Sequence, residues 1–116
     1  MEFVSKDADM VLVKTTPEEL KKLAAIIRAV HGWDFVMCEM DPDDAIALAE
    51  RMERATEESW VFHELEVFYI RLMLGTAFHG IPLDRVNYFS PVTFKDEEIE
   101  DLMKSVGNVV DLAREA

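Results

Sequence analysis

The sequence predicts an α+β fold that is mainly α: a short N-terminal extended or hairpin segment, then about four helices packed round a central apolar helix at residues 58–79. Three observations carry this. Phe3-Val4 and Met10–Val13 are β-type apolar runs on either side of the polar stretch Ser5–Asp9. Two helix starts stand out at Thr16-Pro17-Glu18-Glu19 and Asp41-Pro42-Asp43-Asp44. Between residues 58 and 79, apolar side chains cover nearly the whole helical circumference. A chain of 116 residues is read as a single domain over 1–116, long enough to bury a core without staples.

In the N-terminal segment, strand periodicity places Val11 and Val13 on one face and Met10 and Leu12 on the other. Thr16 then caps the first helix, Pro17 suits its first position, and Glu18 and Glu19 complement the positive end of the helix dipole. Leu20, Leu23, Ile27 and Val30 form its buried stripe. Gly32 ends it, with Trp33 folding back over the last turn. Trp33–Met40 is apolar on both faces and uncapped, so a buried strand joining the N-terminal segment is favoured over a helical turn.

The second helix carries a narrow stripe of Ala45, Leu48, Ala49 and Met52 and ends near Ala55-Thr56. In the third, Phe62, Leu65, Phe68, Tyr69, Leu72 and Met73 spread round the wheel, and a helix apolar on all sides needs its own chain or a second copy around it. His79-Gly80-Ile81-Pro82 stops it. Residues 81–92 read as an ordered loop. A last helix runs from about Phe94, with Thr93 as cap, a buried stripe through Ile99, Leu102, Val106 and Val110, and a kink or split expected at Gly107-Asn108.

Twenty-four acidic against twelve basic residues leave a formal charge of -12, and only Lys21-Lys22 puts two bases together. Without a basic cluster to neutralise phosphates, direct nucleic-acid binding and an anionic membrane surface are not expected. The longest apolar run, Leu65–Phe78, is broken by Glu66 and Arg71 and falls short of the ~20 residues of a membrane span. The lone cysteine, Cys38, and an N-terminus without signal-peptide order point to a reducing, cytoplasmic setting.

Among candidate chemical groups, Glu66 is the most conspicuous. On the wheel it falls among Phe62, Ile70, Met73 and Ala77, where an unpaired carboxylate is expensive. His63, at i−3, is its nearest candidate partner, and the two are the candidate catalytic pair, with Tyr69 or Arg71 nearby. The bland alternative is a Glu66 satisfied by an arginine, a tyrosine or a backbone group. His31 and His79 each precede a helix-ending glycine and are read as helix C-terminal groups facing unsatisfied carbonyls.

No Cys/His cluster of zinc type is present, and neither a metal nor a cofactor is expected. Glu50/Glu53 and Glu98/Asp101 resemble the paired acids that hold magnesium in all-helical nucleotide pyrophosphohydrolases. The rest of that family's pattern is absent, and the pairs are read as solvated faces. Cys38, between Met37 and Glu39, is read as a buried structural thiol.

These readings lead to an expected function. The chain is expected to be a small acidic adaptor, inhibitor or regulatory protein that binds another, basic protein and acts as a homodimer. The carboxylates expected to bind that partner are Asp41, Asp43, Asp44, Asp96, Glu97, Glu98, Glu100 and Asp101, provided the two helix starts are neighbours. The alternative is a small enzyme or ligand-binding protein with a pocket beside residues 58–79 that uses His63 and Glu66.

Overall fold

The alternation at Met10–Val13 organises the sheet. A computed structural model describes residues 1–32 and 40–116, so the expectations for Trp33, Cys38 and a strand over Trp33–Met40 lie outside the described residues. Strands β1 (Glu2–Asp7) and β2 (Met10–Lys14) form an antiparallel hairpin closed by Ala8-Asp9, with Ala8 at φ 52°. The expected hairpin is present, and its strands run further into Ser5–Asp7 than the polar composition suggests. Val11 and Val13 point into the core, fully buried, while Met10 and Leu12 face outward.

Helix α1 (Pro17–Gly32) starts as its sequence dictates: the Thr16 hydroxyl oxygen accepts the backbone N–H of Glu19 at 3.1 Å. Its burial is wider than one stripe. Leu20, Leu23, Ala24, Ile26, Ile27 and Val30 are all buried, because α1 is wrapped by the other helices. Helix α2 (Pro42–Glu53) is capped by Asp41, whose carboxylate accepts the N–H of Asp43 at 2.8 Å. Its small residues Ala45 and Ala49 let it lie close on α1. The pair is clamped by Arg28, which donates to both oxygens of Glu53 at 2.8 and 2.7 Å.

Residues 58–79 are not one helix. Strand β3 (Ser59–His63) joins the sheet beside β2, with Phe62 opposite Val11 and Val61 opposite Leu12. Helix α3 (Glu64–Gly75) follows directly, and Thr76–Gly80 closes as a π turn in which the Ile81 N–H reaches the Thr76 carbonyl at 3.1 Å. The apolar residues that covered the wheel belong to two periods. Phe62 fills the inner face of the sheet, whereas Val67, Ile70, Met73 and Leu74 form the buried side of α3. The central packing role falls equally on α1, which contacts α2, α3, the π turn and the next helix.

The segment 81–92, expected as a loop, contains a short helix, α4 (Leu83–Phe89), that buries Val86 against α1. The Asn87 side-chain amide then binds both backbone groups of Phe94, accepting its N–H at 2.7 Å and donating to its carbonyl at 3.0 Å. That clasp holds Phe94 in the core. Helix α5 (Asp96–Glu115) begins two residues later than expected: Lys95, not Thr93, is its cap, with the Lys95 N–H donated to Glu98 at 3.2 Å. Gly107 lies inside an unbroken helix, so no split occurs there. α5 packs on α3 and β1. The architecture is α+β and mainly α, and no helix among the described residues is long and apolar enough to cross a membrane.

Candidate functional site

His63 and Glu66 meet where β3 becomes α3. His63 is still extended (φ −69°, ψ 143°) and caps the helix, its Nδ1 accepting the Leu65 N–H at 3.1 Å. Glu66 reaches back and accepts the His63 backbone N–H at 2.8 Å, completing a reciprocal capping box. Its second oxygen takes Arg51 of α2 at 3.0 Å. Both carboxylate oxygens are therefore engaged, and no hydrogen bond links the two side chains to each other. The half-buried carboxylate is satisfied by an arginine and a backbone group.

These residues line an open cleft of about 620 Å³ with Asp41, Asp44 and Tyr69. Arg51 is the member that sequence reasoning passed over. It stands on the polar side of α2, and only the placing of β3 beside β2 turns α3 toward it. Arg71 is not part of this cleft: it points to the far side of α3 and binds Asp111 of α5 at 3.1 Å. Nearby, Lys6 hydrogen-bonds Glu64 at 3.0 Å and holds its carboxyl below the usual range.

The eight carboxylates proposed for a partner divide between two places. Asp41 and Asp44 line the cleft just described. Glu98 and Asp101 line a separate hollow with Thr16, Glu18, Glu19 and Lys22. Asp41 and Glu98 are partly spent as caps, Glu98 also lies 3.5 Å from Lys22, and Glu100 is paired with Lys104 at 2.9 Å. Asp43, Asp44, Asp96, Glu97 and Asp101 are exposed, with no ion-pair partner among the described residues. Of the two i,i+3 acid pairs, Glu53 is committed to Arg28, which holds its carboxyl below the usual range by hydrogen bonding.

Of the two histidines expected at helix ends, His31 is exposed in the last turn of α1. His79, exposed in the π turn, sets its ring edge-on to Phe78 at 4.7 Å.

A second concavity, of about 930 Å³, runs between α3 with its π turn and α5. It was not anticipated, although part of its signal was in the sequence as glycines and bases at helical spacing, Arg71 with Gly75 and Lys104 with Gly107 and Arg114. Comparison with family models, curated proteins and solved structures returns no match to this chain. His63 and Glu66 are engaged in capping and pairing, while apolar side chains of the sheet and carboxylates such as Asp43 and Glu97 stand open to solvent.

Proposed function

We propose that this chain is a small acidic protein-binding protein, an adaptor or regulator in the cytoplasm, that works as a homodimer. The observation that supports this best is the outer face of the sheet. Val4, Met10 and Val61 are 54, 43 and 51 % exposed, and Leu12 and Val61 are direct cross-strand partners, so an apolar strip crosses all three strands. Adjacent apolar side chains left this open on a small domain mark an interaction face. The same face carries Glu2, Asp7 and Lys14, so it is nearly neutral on a chain of charge -12. Two copies meeting there keep their acidic surfaces apart, whereas contact through most other faces brings like charges together. The exposed carboxylates at the starts of α2 and α5 then remain free for a basic protein partner.

Light scattering over a concentration series tests the dimer: a mass twice the chain's is expected, and Val61→Glu should return it to one chain with unchanged helical circular dichroism. A single-chain mass at high concentration counts against the reading.

A second reading, a small enzyme or ligand-binding protein, draws on the convergence of His63, Glu66 and Tyr69 on one open cleft. Glu66→Gln with ligand binding and activity unchanged would remove its support.

A further inference from the structure

The two edges of the sheet are not alike. β1 carries a bulge between Phe3 and Ser5 and the charged side chains of Glu2, Lys6 and Asp7, features that blunt an edge against further pairing. β3 has neither. It keeps an unshifted register with β2 over all five of its residues, and Ser59–His63 contains no carboxylate, lysine or arginine.

The ladder fixes which backbone groups of β3 look outward. Thr15 donates its N–H to the Glu58 carbonyl at 3.0 Å, and Glu64 donates its N–H to the Asp9 carbonyl at 2.8 Å. Trp60 and Phe62 therefore face β2, and Ser59, Val61 and His63 turn their N–H and C=O groups to the free edge. Glu66 takes the His63 N–H and closes that end. The outward groups of Ser59 and Val61 have no hydrogen-bond partner among the described residues. Donors and acceptors repeating roughly every 7 Å along an exposed strand are the complement of an extended backbone.

The surroundings select the side chains of that backbone. Glu57 and Glu58 are exposed at the Ser59 end, and Asp44 is exposed in the cleft at the His63 end. None of the three has an ion-pair partner among the described residues. Arg51, the cation of the cleft, is taken by Glu66, and Lys14, opposite Ser59 on β2, stands one strand further in. Val61 lies on the outer face next to Leu12, so a further strand there continues the apolar strip.

We propose that the free edge of β3 binds an extended, basic segment of a partner protein as a fourth, antiparallel strand. An apolar side chain of the segment lies beside Val61, and its lysines or arginines meet Glu57 and Glu58 at one end and Asp44 at the other. A second copy is the poorer occupant. Antiparallel pairing of two β3 edges carries Glu57 of each copy to the Glu66 end of the other, on chains that each bear a charge of -12. The proposal rests on the reading of the chain as a protein-binding one, but it uses the edge of the sheet and not its face.

The probe is a synthetic peptide of about seven residues, the length of a strand, with valine at alternate positions, threonine between them and lysine at both ends. The same peptide with glutamates for lysines is the charge control. Amide spectra of the full chain are expected to show the Ser59 and Val61 signals shifting with the lysine peptide, and binding about tenfold weaker with the glutamate one. In an antiparallel pair the valines beside Val61 point their N–H groups at β3. Methylating the valine amides is thus expected to abolish binding, and methylating the threonine amides to leave it intact. Ser59→Pro removes an outward donor that β2 does not use, at the start of an edge strand where proline is tolerated. It is expected to weaken the lysine peptide about fivefold with unchanged helical circular dichroism.

Equal binding of the lysine and glutamate peptides, indifference to methylation of the valine amides, or shifts confined to other faces would each overturn the proposal. So would a fall of oligomeric mass in Ser59→Pro, which would make the edge a self-interface. The two readings fail separately. A single-chain mass with the lysine peptide still adding at Ser59 and Val61 supports the edge and removes the dimer. A dimer that ignores the lysine peptide overturns the edge alone.

Discussion

The Glu66 carboxylate accepts the backbone N–H of His63 at 2.8 Å, at the point where an edge strand becomes a helix. The β2-facing groups on this side of the sheet include the Glu58 carbonyl and the Glu64 N–H, which bind Thr15 and Asp9. By strand alternation, the His63 N–H therefore points away from β2. Glu66 satisfies an outward donor of the strand as well as an unpaired end of the helix.

Replacing Glu66 separates its roles. Glu66→Gln retains an acceptor for the His63 N–H and is expected to cost a few tenths of a kcal/mol, mainly through Arg51. Glu66→Ala is expected to cost about 1–2 kcal/mol, the usual range for a lost cap. Urea unfolding of both variants checks the order. Equal losses would mean the charge, not the cap, matters most.

Ala8 occupies the left-handed region at φ 52°, where a Cβ crowds the following carbonyl. Ala8→Gly is expected to stabilise the protein by about 0.5–1 kcal/mol, after the extra chain entropy of glycine is set against the relief of strain. A higher midpoint in thermal unfolding is the result to look for.

At Gly107 the sign is reached differently. A Cβ there would sit 3.7 Å from Arg71 Nε, an ordinary contact, and the residue is in mid-helix. Gly107→Ala is therefore expected to add about 0.5–1 kcal/mol of stability in urea unfolding. Gly107→Leu should instead displace Arg71 from Asp111 and lose part of that gain.

Arg28 and Glu53 give a pH-dependent contribution. Hydrogen bonding to Arg28 lowers the Glu53 pKa from 4.5, so the carboxylate form is favoured by folding. The stability it adds is present above the unfolded value and is lost as pH falls through the lower, folded one. Both side chains are about one-third exposed, which limits the pair to no more than about 1 kcal/mol after solvent screening. The stability difference between wild type and Glu53→Gln should be steady near neutrality and shrink below about pH 4.5, as measured by urea titration at several pH values.

Sequence reasoning succeeded where local chemistry decides structure. Thr16, Pro17, Asp41 and Pro42 mark helix starts through their own backbone and side-chain preferences, and both starts are where expected. The alternation of Val11 and Val13 likewise survives, because one sheet face meets the core. It failed where a distant partner decides. Trp60-Val61-Phe62 has no strand identity apart from β2, and without that pairing its apolar residues extend the helical pattern of α3 backward. Asn87 holds Phe94 through a bond that no local rule anticipates, and this moves the start of α5 to Lys95. Glu66 was legible as an anomaly, but its explanation needed Arg51 from a separate helix.

The pairing of Phe62 with Val11 also has a consequence in time. The β1–β2 hairpin closes across two residues and can form on the microsecond scale, whereas β3 must return from about fifty residues downstream. Bringing so distant a strand home carries a larger loop-closure entropy, and non-local pairing slows folding. The third strand is thus the natural late event on the way to the native state. Until it docks, the inner face of the hairpin and the unformed junction of α3 are exposed together, and this protein is most open to wrong partners during that interval.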